Sequence, residues 1–215
     1  RAGDRVALGR TEDGQDGIFV HTDGFDFPAH TREKFAFRTS LTRETSFSIA
    51  YDELFELLRH EREHGFTAWV LGPATVFDSD SRDAFSRLIA AGYVDAVLAG
   101  NALATHDLEA ALYGTALGLE IYHKRPAPLG HYKHLDALNA VRGAGSIPEA
   151  VRRGLVANGV MHAAVQKGIP FVLAGSIRDD GPLPEVVGNV YDAQDAMRAQ
   201  VRRATTVVCL ATQLH

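Results

Sequence analysis

The chain has 215 residues, 46% of them hydrophobic, and a formal net charge of −5. That length buries one α/β core with room for a small appendage. The acidic balance and the lack of any Lys/Arg run exclude a phosphate-tracking nucleic-acid surface, and no apolar stretch is long enough to span a bilayer. The single cysteine, Cys209, excludes an internal disulfide framework and a cysteine-based zinc site, and fits a reducing cytoplasm.

Residues 1–47 are rich in Gly, Asp, Thr and Phe and hold only short apolar pieces such as Val6-Ala7-Leu8. They read as a small β-rich element or arm. From Ser48 the pattern becomes alternating helix and strand, which marks 48–215 as one domain. Residues 51–64 form an amphipathic helix with Leu54, Phe55, Leu57 and Leu58 on one side, stopped by Gly65. A strand over 68–71 runs into Gly72-Pro73-Ala74-Thr75. The segment 78–81 offers caps for a helix that carries Phe85, Leu88 and Ile89 and ends at Gly92. A second strand, 93–99, runs into Gly100-Asn101-Ala102. Thr105 is the expected cap of a helix over 106–117, with Glu109 as its capping-box partner. Residues 120–133 read as a His-, Pro- and Lys-containing loop, followed by helices over 134–143, 148–157 and 159–167. A third strand, 169–174, leads into Gly175-Ser176-Ile177-Arg178-Asp179-Asp180. A helix over 192–203 and a strand over 205–211 close the pattern, with Cys209 expected as a buried strand thiol and Trp69 and Tyr191 as packing residues. Such alternation implies an α/β fold with a mostly parallel sheet and helices on both faces.

Ligands of open parallel sheets bind at the carboxyl ends of the strands. Three of these strands end in glycine followed by small or polar residues, which lets backbone N–H groups approach an anion. No Gly-x-Gly-x-x-Gly fingerprint is present, so the residues alone support an anionic or dinucleotide ligand and no more. Arg178 suits a substrate carboxylate, and repulsion between Asp179 and Asp180 suits a proton acceptor. A solvated turn with an internal Arg–Asp pair is the bland alternative. His131, Lys133 and His134 suit carboxylate binding or proton transfer, against a plain surface loop. No matching partner makes the two histidines a metal site. His106-Asp107 reads equally well as a simple helix start.

The segment Gly100-Asn101-Ala102-Leu103-Ala104-Thr105-His106-Asp107-Leu108-Glu109 and its continuation to Thr115 resemble the signature of the archaeal-type ornithine cyclodeaminase family. That family is also described as a lysine-oxoglutarate reductase/saccharopine dehydrogenase-like region, and it includes the C-terminal part of cyanobacterial bifunctional arginine-degrading enzymes. Residues 130–135, 174–184, 193–198 and 210–215 resemble further blocks of it in the same order. The resemblance implies a Rossmann-like fold related to that of deoxyhypusine synthase, and NAD-dependent conversion of ornithine to proline with loss of ammonia. It assigns Asn101, Ala102, Asp180, Thr212, Gln213, Leu214 and His215 to NAD. Arg178, Asp179 and His134 are the candidate catalytic residues. It further implies segments before residue 1 and after residue 215, a homo-oligomer and an amino-acid substrate, while charge and composition argue against a nucleic-acid or membrane partner. Two alternatives stand beside it. One is a deoxyhypusine- or homospermidine-synthase-like transferase, which needs a reactive lysine. The other is a non-catalytic nucleotide-binding subunit.

Overall fold

The computed structural model comprises two compact units, residues 1–43 and 44–215. The described residues are 48–175 and 183–212, all in the second unit, so the β-rich element expected over 1–47 lies outside them. The elements are α1 (Ser48–His64), β1 (Thr67–Leu71), a 3-10 turn (Pro73–Val76), α2 (Ser79–Ala90), β2 (Ala96–Gly100) and α3 (Asn101–Tyr113). They continue as β3 (Thr115–Ala116), β4 (Leu119–Glu120), α4 (Gly130–Ala144), α5 (Ile147–Arg152), α6 (Val160–Lys167), β5 (Phe171–Ala174), β6 (Val186–Val187), α7 (Val190–Val201) and β7 (Thr206–Leu210).

Five strands form one parallel sheet in the order β6-β5-β2-β1-β7. Strands β1 and β2 lie inside it, covered on both faces, which is why both read as unbroken apolar runs. The chain moves from β1 to β2 to β5 to β6, then returns past β1 to β7. Right-handed crossovers therefore put α2 to α6 on one face and α7 on the other. Consistent with this, α2 packs on α6, and α7 packs on β5.

The edge position of β7 overturns one expectation. Cys209 is exposed rather than buried, because an edge strand has a neighbour on one side only and less helix over it. Tyr191 is likewise 79% exposed on α7 and is no packing residue. Trp69 does fill the core, edge-on to Phe85 at 5.2 Å, with Nε1 donating to the Tyr93 carbonyl at 3.0 Å.

Helix α3 begins at Asn101, not at residue 106. Gly100 takes the cap position directly off β2, so Thr105 and Glu109 fall inside the helix and neither caps it. Asp107 is fully buried within α3 and is no helix start. Its Oδ1 accepts from Arg82 Nε at 2.6 Å and from the Val160 N–H at 3.0 Å, and Oδ2 accepts from the Met161 N–H at 2.7 Å. One carboxylate thus neutralises a buried arginine and caps a helix that is distant in sequence. Gly159 makes room for this: at φ +100° a Cβ there would stand 2.0 Å from Arg82 Nη2.

The helix expected to reach residue 117 ends at Tyr113, and a hairpin follows over 115–120. Antiparallel β3 and β4 join through Leu117 and Gly118, both at positive φ, a turn matched to the twist of paired strands. Gly118 lies against Gly130, where a Cβ would meet the Gly118 carbonyl oxygen at 2.3 Å. This contact seats the start of α4 at Gly130, ahead of the start at residue 134 that the sequence pattern suggests.

Candidate active site

The parallel register sets four strand ends side by side. Leu71 lies opposite both Ala99 and Leu210, and Gly100 lies opposite Ala174. Strand β1 leads on to β2 on one side and pairs with β7 on the other, so the carboxyl ends of these strands stand together at the edge where open parallel sheets bind ligands. Gly72 and Thr212 sit there. The Gly72 N–H donates to the Leu210 carbonyl at 2.9 Å, and a Cβ on Gly72 would stand 1.6 Å from the Ala211 oxygen. In the turn beyond, Thr75 Oγ1 is buried with no hydrogen-bond partner among the described residues.

A cavity of about 250 Å³ opens beside the start of α3. Helix α3 contributes Asn101, Ala102, Thr105 and His106, and α4 contributes His134, Leu135 and Leu138. The small volume suits a metabolite fragment rather than a drug-sized ligand, whose pockets run to roughly 300–1,000 Å³. No side chain caps α3, so the N–H groups of its first turn and the helix dipole face this edge.

Of the residues expected at the site, Asn101, Ala102 and His134 therefore share one cavity wall, and Thr212 lies at the neighbouring strand end. Arg178, Asp179, Asp180, Gln213, Leu214 and His215 lie outside the described residues. Lys133 is turned to another task, with its ammonium 4.9 Å from the centre of the Tyr113 ring. His131 lies tilted against the Tyr132 ring, 4.2 Å between ring centres, and does not line the cavity.

Burial is the largest influence on His134 and lowers its pKa below the ordinary 6.5. Glu109 and Asp136 oppose that shift, and His106 and His131 add to it. His134 therefore favours the neutral ring, able to accept or donate a single proton. His106 faces it at 6.4 Å between ring centres and packs edge-on to Phe77 at 5.1 Å. The contribution of His106 together with Glu109 and Thr115 is not evident from the sequence pattern. Only the three-residue spacing of His106 and Glu109, which puts both on one helix face, hints at it. Among the described residues no group of three His, Cys, Asp or Glu could hold a metal ion, and no helix is long and apolar enough to cross a membrane.

Residues 52–215 match the family model for the C-terminal Rossmann fold of arginine dihydrolase ArgZ-like proteins. The ornithine cyclodeaminase of Methanopyrus kandleri is 45% identical over 160 residues, which cover 74% of this chain and 39% of that protein. Among solved structures, a conserved LOR/SDH protein of Methanococcus maripaludis is 38% identical with a TM-score of 0.75, over 83% of this chain and 56% of that one. The ternary complex of AgrE with ornithine and NAD+ is 37% identical with a TM-score of 0.74, over 81% of this chain and 26% of that one. The chain spans about two fifths of the length of the archaeal ornithine cyclodeaminases it matches and 26–30% of the bifunctional cyanobacterial relatives. A match over most of the chain, including the segments that shape the cavity, places it plainly: the chain belongs to the ArgZ-like C-terminal Rossmann-fold family.

Proposed function

We propose that this chain is the NAD-binding domain of an ornithine cyclodeaminase, over residues 48–215, and turns ornithine into proline with release of ammonia. One observation carries the reading. The cavity joins the uncapped start of α3, suited to the phosphates of a dinucleotide, to His134, whose burial favours the uncharged ring that can take up a proton. The naming of relatives as ornithine cyclodeaminases, and the presence of ornithine and NAD+ in the AgrE complex, support the same choice of ligands.

The residues present fit NAD. The Gly100 position is open, since a Cβ there would find only the Ala174 oxygen, at 3.8 Å. Asn101 and Ala102 would hold the cofactor with Thr212 from the adjoining strand end, and Asp180, Gln213, Leu214 and His215 complete the proposed set. When bound, NAD supplies an acceptor for a hydride from the substrate α-carbon and gives the hydride back. The protein holds the substrate carboxylate with Arg178, moves protons through His134 and Asp179, and keeps water from the reactive imine with Leu135 and Leu138.

The transferase alternative is disfavoured by the lysines among the described residues, and Lys34 lies outside them. Lys124 donates to the Phe77 carbonyl, Lys133 lies over Tyr113, and Lys167 donates to the Ala90 carbonyl at 3.2 Å. None of these lines the cavity. The test is ornithine carrying deuterium at the α-carbon. Proline and ammonia are expected together, with deuterium retained and no net NADH. Steady NADH with a keto acid would instead show an ordinary dehydrogenase.

A further inference from the structure

His106 and Glu109 form an imidazole–carboxylate pair at the cavity wall. His106 Nδ1 lies 2.8 Å from Glu109 Oε2, and the other carboxylate oxygen, Oε1, accepts from Thr115 Oγ1 at 2.8 Å. The His106 side chain is 12% exposed and that of Glu109 fully buried. Burying a carboxylate is costly unless it is paired, and here its two oxygens are taken by one ring N–H and one hydroxyl. With Nδ1–H donating to the carboxylate, the ring nitrogen left to accept a proton is Nε2. The hairpin strand β3 holds Thr115, so the pair is braced from a second element. Phe77 fixes the ring edge-on from the turn after β1.

We propose that His106, oriented by Glu109, is the base that frees the substrate α-amine for oxidation and later the acid that releases it as ammonia. This rests on the cyclodeaminase reading. At neutral pH the α-amine is an ammonium, and its carbon cannot give up hydride while a proton holds the lone pair that must form the C=N bond. The N–H bond breaks, its electron pair stays on nitrogen, and the proton goes to His106 Nε2. Glu109 stabilises the imidazolium. The α-carbon is then oxidised and NAD reduced. The terminal amine adds to the imine carbon, the α-nitrogen takes the proton back from His106, and the carbon–nitrogen bond breaks to release ammonia. Protons shed by the terminal amine pass to ammonia and to the ring nitrogen of the product, and the returning hydride reoxidises NAD. Ornithine thus yields proline and ammonium, and the imidazole ends as it began.

The charged and titratable groups around His106 are Glu109 on its own helix and His134 from α4, itself influenced by His131 and Asp136. Behind Phe77 lie Lys124 and Asp78, 3.8 Å apart. Asp107 is engaged with Arg82.

The test uses the whole protein with ornithine. His106→Ala is expected to lower turnover by about 10²–10⁴-fold, to leave the NAD dissociation constant unchanged, and to regain turnover when free imidazole is added. Glu109→Gln acts through His106. It is expected to lower kcat by about 10–100-fold while the KM for ornithine and the NAD dissociation constant stay near their native values, a split a merely structural role would not produce. Wild-type turnover in either variant would overturn the proposal. Should His106→Ala not fold, the Glu109→Gln split decides alone. If the unaltered protein makes no proline, the cyclodeaminase reading fails, and the proposed base falls with it. If the unaltered protein is active and the variants match it, only the assignment of the base fails.

Discussion

Asp107→Asn probes the buried joint between α2, α3 and α6 while keeping side-chain shape. The native carboxylate is fully buried and accepts three N–H groups, from Arg82, Val160 and Met161. An amide offers one oxygen and one NH2. Whichever way it sits, the NH2 faces a donor, and Arg82, itself 5% exposed, loses its counter-ion. Breaking a buried ion pair from one side costs about 3–5 kcal/mol, because the remaining charge is uncompensated. For a domain of this size, about 1 kcal/mol corresponds to roughly 2–4 °C in melting temperature, so a fall of about 6–20 °C is expected. Urea unfolding followed by circular dichroism measures the free energy directly. The companion Arg82→Met removes the cation but leaves the cap, and Asp107→Asn added to it should cost much less than on its own. A loss below about 1 kcal/mol for Asp107→Asn, or simple additivity in the double variant, would refute the view that one carboxylate holds the joint.

Two further outcomes follow from the strand ends and from the start of α5. Gly72→Ala pushes a methyl group into the Ala211 backbone, at 1.6 Å from its oxygen before relaxation. The β1 and β7 ends must part, at about 1–3 kcal/mol, with weaker NAD binding by calorimetry. Unchanged stability would show that this close approach is not real. Glu185 accepts the Ile147 N–H at 2.7 Å, and burial, the larger influence, raises its pKa above the ordinary 4.5. Between the unfolded and the raised folded value, the native state binds the extra proton, so stability falls as pH rises through that window. Glu185→Gln cannot ionise. Its stability relative to the native protein should therefore improve from about pH 4 to about pH 7 in denaturation curves, and an equal difference at both values would count against the assignment.

Local pattern carried much of this fold. The apolar runs at 68–71 and 169–174, the glycines after them and the helix over 51–64 are legible because their signals lie within a few residues of one another, although Phe55 and Leu57 of the expected apolar face stand exposed and only Leu58 is buried. Asn101 and Ala102 are legible as residues at a strand end for the same reason, and both line the cavity. Elsewhere the deciding contact is distant in sequence. Thr105 has the chemistry of a cap, but β2 delivers the chain at Gly100 in extended geometry and the helix starts at once, so the cap residue ends up lining a cavity. Asp107 reads as a helix-start carboxylate until Arg82 and the start of α6 are brought to it. Cys209 sits in an apolar strand whose exposure depends on strand order, which no window of sequence contains. The sequence by itself determined the alternation of elements and the residues at the strand ends, because periodicity and turn chemistry are local. Only the tertiary structure decided which strand lies at the edge, which buried carboxylate meets which donor, and which histidine stands over the cavity, because those pairings join residues that only the packed sheet and its helices bring together.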